Sequence, residues 1–134
     1  MKLYKLFSIA TAAIFVVVGL IFLIFPDWPL IFFNNLSGYF GLPQAPLQGT
    51  GFYLILASAY MYLVTLLAYL MYRYPEQRIY PFLLVQCKLA SSILSIYLFL
   101  IHQHYLIYLA NFIIDGFIGI AVLYFMKKMK KTRA

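Results

Sequence analysis

The chain is a series of long apolar runs broken by short polar stops. Four runs, residues 6–25, 51–72, 80–101 and 105–126, each hold about 20 residues, and at ~1.5 Å per residue each reaches roughly 30 Å, the depth of a hydrocarbon core. The first run ends at Pro26-Asp27-Trp28-Pro29, a proline-flanked tryptophan that suits a helix leaving the bilayer at its interface. The second and third are separated by Arg73-Tyr74-Pro75-Glu76-Gln77-Arg78, the third and fourth by His102-Gln103-His104. Between the first and second runs lies the only long connection, residues 29–48. Its apolar piece, Leu30-Ile31-Phe32-Phe33, is too short to span, and Asn34-Asn35 and a turn-rich stretch through Gly38, Gly41, Pro43 and Pro46 follow it. This reads as an interfacial or re-entrant segment, either a plain connector or a lid over a pocket. The pattern predicts an all-α fold, a polytopic membrane four-helix bundle forming a single integral membrane domain over residues 1–134.

Composition sharpens the class. A chain that is 66% hydrophobic, 20% aromatic and 10% charged cannot cover itself with a water-soluble surface. The first run is too long for a cleaved leader and no small-residue cleavage site follows it, so it reads as a retained anchor. Cys87 is the single cysteine, which excludes a disulfide framework and a cysteine-based metal site.

Charge then sets orientation. Of the ten Lys and Arg, all but Lys88 fall at the N-terminal end, in the 73–78 turn or in the C-terminal tail, and residues 26–50 and 102–104 hold none. Those three basic places share one side only if four helices cross, and the positive-inside rule makes both termini cytoplasmic. The tail, with Lys127, Lys128, Lys130, Lys131 and Arg133, reads as a solvated basic surface that attracts anionic lipid at about 1 kcal/mol per residue. The net charge of +7 is therefore a membrane signal, with no nucleic-acid partner implied.

Polar residues inside the runs are the candidate chemistry. Lys88 shares a helix face with Ser91, Ser92, Ser95 and His102, and Asp115 shares one with Tyr108, Asn111 and Gly119. In the second run Gly51, Ser58, Tyr62, Thr65 and Tyr69 recur at helical spacing and are expected to point inward. Counted from the basic side, Thr65, Lys88 and Asp115 lie roughly 10, 12 and 16 Å deep, so the three stripes meet in one layer. The expected network is Lys88, Asp115, Ser91, Ser92, Ser95, Asn111, Tyr62 and Thr65. Side chains lean toward their own helix N-terminus, which moves Lys88 and Asp115 apart and favours a bridge through water, Ser91 or Tyr62 over a direct ion pair. Two readings follow: an interior network that fixes helix register, and a proton, ion or headgroup site. His102 and His104, two apart in a turn, make neither a metal nor a haem site. No nucleophile elbow, metalloprotease helix, phosphate loop or carboxylate pair occurs, so no catalytic residue is assigned. Asn35-Leu36-Ser37 matches a glycosylation acceptor, and Ser8, Ala12 and Gly19 form a small-residue stripe for helix packing.

Four short helices, Gly19 before the Pro26 stop, a long first loop, Gly49 and Gly51 opening the second helix, and the late Asn111 to Asp115 pair give the chain a layout that resembles the DoxX-like group of small bacterial membrane proteins. That resemblance implies a four-helix bundle in a bacterial inner membrane, an accessory role near quinone chemistry, and no catalytic residue. The expected function is a non-catalytic accessory or assembly subunit of a larger membrane complex, with lipid or quinone as ligand and other membrane subunits or a second copy as partners. The alternatives are a small proton- or ion-linked transporter using Lys88 and Asp115, and a membrane enzyme on a lipid or quinone.

Overall fold

A computed structural model of the protein describes residues 2–47 and 51–133. Five helices follow one another: α1 Lys2–Ile24, α2 Trp28–Phe40, α3 Gly51–Arg73, α4 Ile79–Ile101 and α5 Leu106–Arg133. There is no strand among the described residues. Four of the helices, all but α2, are long and apolar enough to cross a membrane. They match the four runs read from the sequence, with two extensions: α1 already begins at Lys2 and not near residue 6, and α5 does not stop near 126 but stays helical to Arg133, so the basic tail is an extension of the helix. Gly49, the surroundings of Gly51 and the side chains of Lys130, Lys131 and Arg133 lie outside what is described.

The local signals explain the breaks. Pro81 sits in the first turn of α4, where its missing N–H has no intrahelical acceptor to lose. Gly41 ends α2 in the left-handed region at φ 65°, and its N–H and that of Leu42 both return to the Ser37 carbonyl. A side chain with a Cβ would be strained there.

The long helices pair as α1 with α3 and α4 with α5, and α3 joins the pairs through α4. This leaves a seam between α1 and α5. At one end the rings of Tyr4 and Phe7 pack on Phe125, 6.2 and 4.9 Å between centroids, and at the other α2 leans on both α1 and α5. Lys2, Lys5, the 73–78 turn and the end of α5 thus gather at one end of the bundle, and α2 with the 102–104 turn at the other.

Packing is uneven along the bundle axis. The basic end is filled by Tyr4, Leu67, Ala68, Met71, Leu84, Val85 and Val122, all buried. The outward faces carry Val17, Ile55, Ile93, Leu100 and Phe117, each more than half exposed. Bare leucine, isoleucine and phenylalanine on every outer face is the surface expected against lipid and not against water. α2 repeats the inversion: its buried residues are Asn34 and Ser37, while Phe32, Tyr39 and Phe40 face out.

Candidate functional site: a buried ion pair beneath an interhelical cavity

The α4–α5 interface is built from small and polar residues, which lets two backbones approach closely. At Gly116 a Cβ would stand 2.9 Å from Ser92 Oγ, and at Gly119 it would stand 2.9 Å from the end of Leu89. Along this seam three polar contacts follow the antiparallel register. Lys88 Nζ meets Asp115 Oδ1 at 2.8 Å, the Ser92 hydroxyl donates to the Phe112 carbonyl at 2.8 Å, and Asn111 Nδ2 donates to Ser91 Oγ at 3.0 Å and Ser95 Oγ at 2.7 Å.

Lys88 is the hub of the bundle. From α4 it reaches α5 through Asp115, and its ammonium also lies over the ring of Phe15 in α1, at 4.4 Å, and of Tyr60 in α3, at 5.1 Å. All four long helices therefore converge on one cation. The side chains of the pair are 3% and 6% exposed, so the charges are screened by each other and by the two rings, not by water.

Several sequence expectations are corrected here. The ion pair is direct, not bridged by water, Ser91 or Tyr62: the four torsions of the lysine stem span an offset that separates stiffer side chains, and in an apolar interior contact outweighs the lean of the Cα–Cβ bonds. Tyr62 is not in the network. It is 72% exposed on the outer face of α3, and with Thr65, half-buried, it borders a separate cavity of about 210 Å3 between α1 and α3. The inward stripe of α3 is Met61, Val64, Ala68 and Met71, not Ser58, Tyr62, Thr65 and Tyr69. A spanning helix is apolar all round, so hydrophobic period does not choose its inner face. The tyrosine that does reach the pair is Tyr60, whose hydroxyl donates to the Cys87 carbonyl at 3.4 Å. Ser91, Ser92, Ser95, Asn111, Lys88 and Asp115 lie together along the α4–α5 seam.

Above the pair, toward α2, packing gives way to space. A cavity of about 830 Å3 runs between α3, α4 and α5, with Cys87, Leu94, Leu98 and Ile107 as apolar wall and Tyr60, Ser91, Ser95 and Asn111 as polar floor. His102, exposed, stands at its mouth beside Tyr105. A second cavity of about 300 Å3 lies along the α1–α5 seam, is bordered by Lys88 and Asp115, and shares Phe22, Tyr60, Ser91, Ile107 and Asn111 with the first. Ile14 and Ile114 line it while more than half exposed, so it opens sideways to the surroundings of the bundle.

Residues of the α2 segment line one side of the first cavity, which is open at Leu94 and His102. Asn34 holds Ala45 by two bonds, Nδ2 donating to the Ala45 carbonyl at 2.9 Å and the Ala45 N–H donating to Oδ1 at 2.7 Å. This pins Ala45 and Pro46, with Leu30, over the space. The Asn35-Leu36-Ser37 triplet lies within α2, with Ser37 buried and its hydroxyl donating to the Phe33 carbonyl. No cluster of three or more potential metal ligands occurs among the described residues.

No family model matches this sequence, and neither a curated protein nor a solved structure is similar to it, so the DoxX-like layout gains no support from them.

Proposed function

We propose that this is an integral membrane protein with four spans and both termini on the cytoplasmic side, and that its outer-half cavity holds an amphiphile dissolved in the bilayer. It performs no reaction; it serves as a binding or accessory component, in a bacterial inner membrane if the DoxX-like layout is a guide. The observation that carries this reading is the asymmetry of the interior. Large side chains fill the basic half, whereas the other half keeps about 830 Å3 of mostly apolar space with a few converging polar groups and a sideways opening beside it. Ligand sites in proteins commonly have volumes of ~300–1,000 Å3 and that mixture of walls. Lipid or quinone has the required form, a polar head on an apolar body. The filled basic half also favours holding over passage, since the Lys88–Asp115 pair has no open route to that side.

Native mass spectrometry after gentle detergent extraction tests this. One retained amphiphile per chain is expected, lost when Ala90→Trp or Cys87→Phe puts bulk into the cavity. Retention unchanged in both variants, or none in the parent protein, refutes the reading. Reporter fusions at Gln44 and Lys131 test the topology: opposite sides are expected, and the same side for both rules out four spans.

A further inference from the structure

The Ser91–Ser95–Asn111 cluster holds more hydrogen-bond donors than the chain uses. Three other serine hydroxyls spend their proton on a backbone carbonyl: Ser8 on Tyr4, Ser37 on Phe33 and Ser92 on Phe112. Ser91 and Ser95 instead receive a proton each from the Asn111 amide. Two hydroxyls and one amide carry four polar protons, and two of these are used within the cluster. With the amide turned over, both hydroxyls would donate to Oδ1 and both amide protons would be left. Ser91 also lies within hydrogen-bond reach of the Tyr60 hydroxyl, so in either orientation at least one donor remains unspent.

Those donors line the 830 Å3 cavity, and within a bilayer an unsatisfied donor is expensive. The other polar group of the floor, the Tyr60 hydroxyl, is already donating to Cys87. No Lys, Arg, Asp or Glu among the described residues lines this cavity, and the neighbouring ammonium is neutralised by Asp115. What the floor offers is donors without charge. Resting on the reading of the cavity as a ligand site, we infer that Ser91, Ser95 and Asn111 form its headgroup site and take an uncharged amphiphile through a carbonyl oxygen. A glyceride ester and a quinone ring both present that oxygen.

The test titrates dioleoylglycerol, ubiquinone-2 and, as a charged comparison, dioleoyl phosphatidate into the full chain in detergent, with bound mass read by native mass spectrometry. The triple variant Ser91→Ala/Ser95→Ala/Asn111→Leu removes every donor and partner together, which leaves no orphaned polar group to unfold the protein. Asn111→Leu alone is the second variant, since the serines can then turn back onto their own helix carbonyls. Circular dichroism checks that both remain folded. Binding of one neutral probe, weakened about tenfold or more in both variants, supports the inference, and which probe binds identifies the source of the carbonyl. Neutral binding that neither variant weakens overturns the headgroup assignment while sparing the cavity. Phosphatidate binding as tightly as the neutral probes overturns it too. Binding that persists in Ala90→Trp overturns the cavity reading beneath it.

Discussion

Removing one member of the Lys88–Asp115 pair should cost far more than removing both, and the two single variants should not be equal. At 2.8 Å the attraction is about 6 kcal/mol for an effective dielectric of ~20, and taking two ions out of water costs several kcal/mol each, so the intact pair is close to neutral for stability. A lone buried charge has no such offset, and the loss expected on breaking a buried pair is ~3–5 kcal/mol. The surroundings make it asymmetric. In Asp115→Asn the ammonium keeps the Phe15 and Tyr60 rings, at 4.4 and 5.1 Å, and desolvated contacts of this kind contribute up to ~2 kcal/mol. In Lys88→Met the carboxylate loses the one side chain that donates to it among the described residues. Lys88→Met should therefore destabilise more than Asp115→Asn, by ~1–2 kcal/mol, and Lys88→Met/Asp115→Leu should recover most of the loss. Unfolding in mixed detergent and sodium dodecyl sulfate micelles, followed by circular dichroism, reads all four proteins. Additive single losses in the double variant would refute the argument, because they would mean that the two charges do not interact.

Three further outcomes follow from the packing. Gly116→Ala should lower stability by ~1–3 kcal/mol, because the new Cβ meets Ser92 Oγ at 2.9 Å and forces it off the Phe112 carbonyl, whereas Gly119→Ala should cost less, since the end of Leu89 can turn away. Equal losses in the same unfolding assay would show that the seam is looser than described. Asn34→Ala removes both bonds to Ala45, and hydrogen exchange over residues 42–47 should rise while that of α4 stays unchanged; an unchanged 42–47 segment would mean that Asn34 does not pin it. Tyr4→Phe should be neutral or stabilising by ~1 kcal/mol, because the buried Tyr4 hydroxyl has no hydrogen-bond partner among the described residues, and a clear loss of stability would mean that the hydroxyl is satisfied.

The parts of this structure legible in the sequence are those fixed by length and charge. Runs of about 20 apolar residues, bounded by proline, glycine or short polar stretches, marked four long helices, because a bilayer-depth helix has no shorter form. Polar residues on α4 and α5 marked their shared face, since serine, asparagine and aspartate in lipid must find partners and each helix had several in register. On α3 the same reasoning chose wrongly. Ser58, Tyr62, Thr65 and Tyr69 do not mark its inner face, and the inward stripe of Met61, Val64, Ala68 and Met71 looks no different in composition from the outward one. Met61 gave one unused hint: it sits against Gly19, 3.2 Å from where a Cβ would be, so the small-residue stripe of α1 pointed to α3 without saying which face. Phe15 and Tyr60 around the ammonium were hidden for another reason. A ring beside a lysine is a tertiary contact between three helices, and no spacing within one helix encodes it. The Asn34 clasp on Ala45 was equally invisible, because it closes a loop whose path the sequence leaves free.

The central claim, that the open half of the bundle holds a molecule from the bilayer, is tested most directly by crystallising the protein from a lipid mesophase doped with a chain-brominated lipid. Bromine anomalous scattering should then appear inside the cavity between Leu94, Leu98 and Ile107, with the head of the molecule at Asn111. Bromine confined to the outer faces, with Tyr60 and the α4–α5 side chains closed over the empty space, would contradict it.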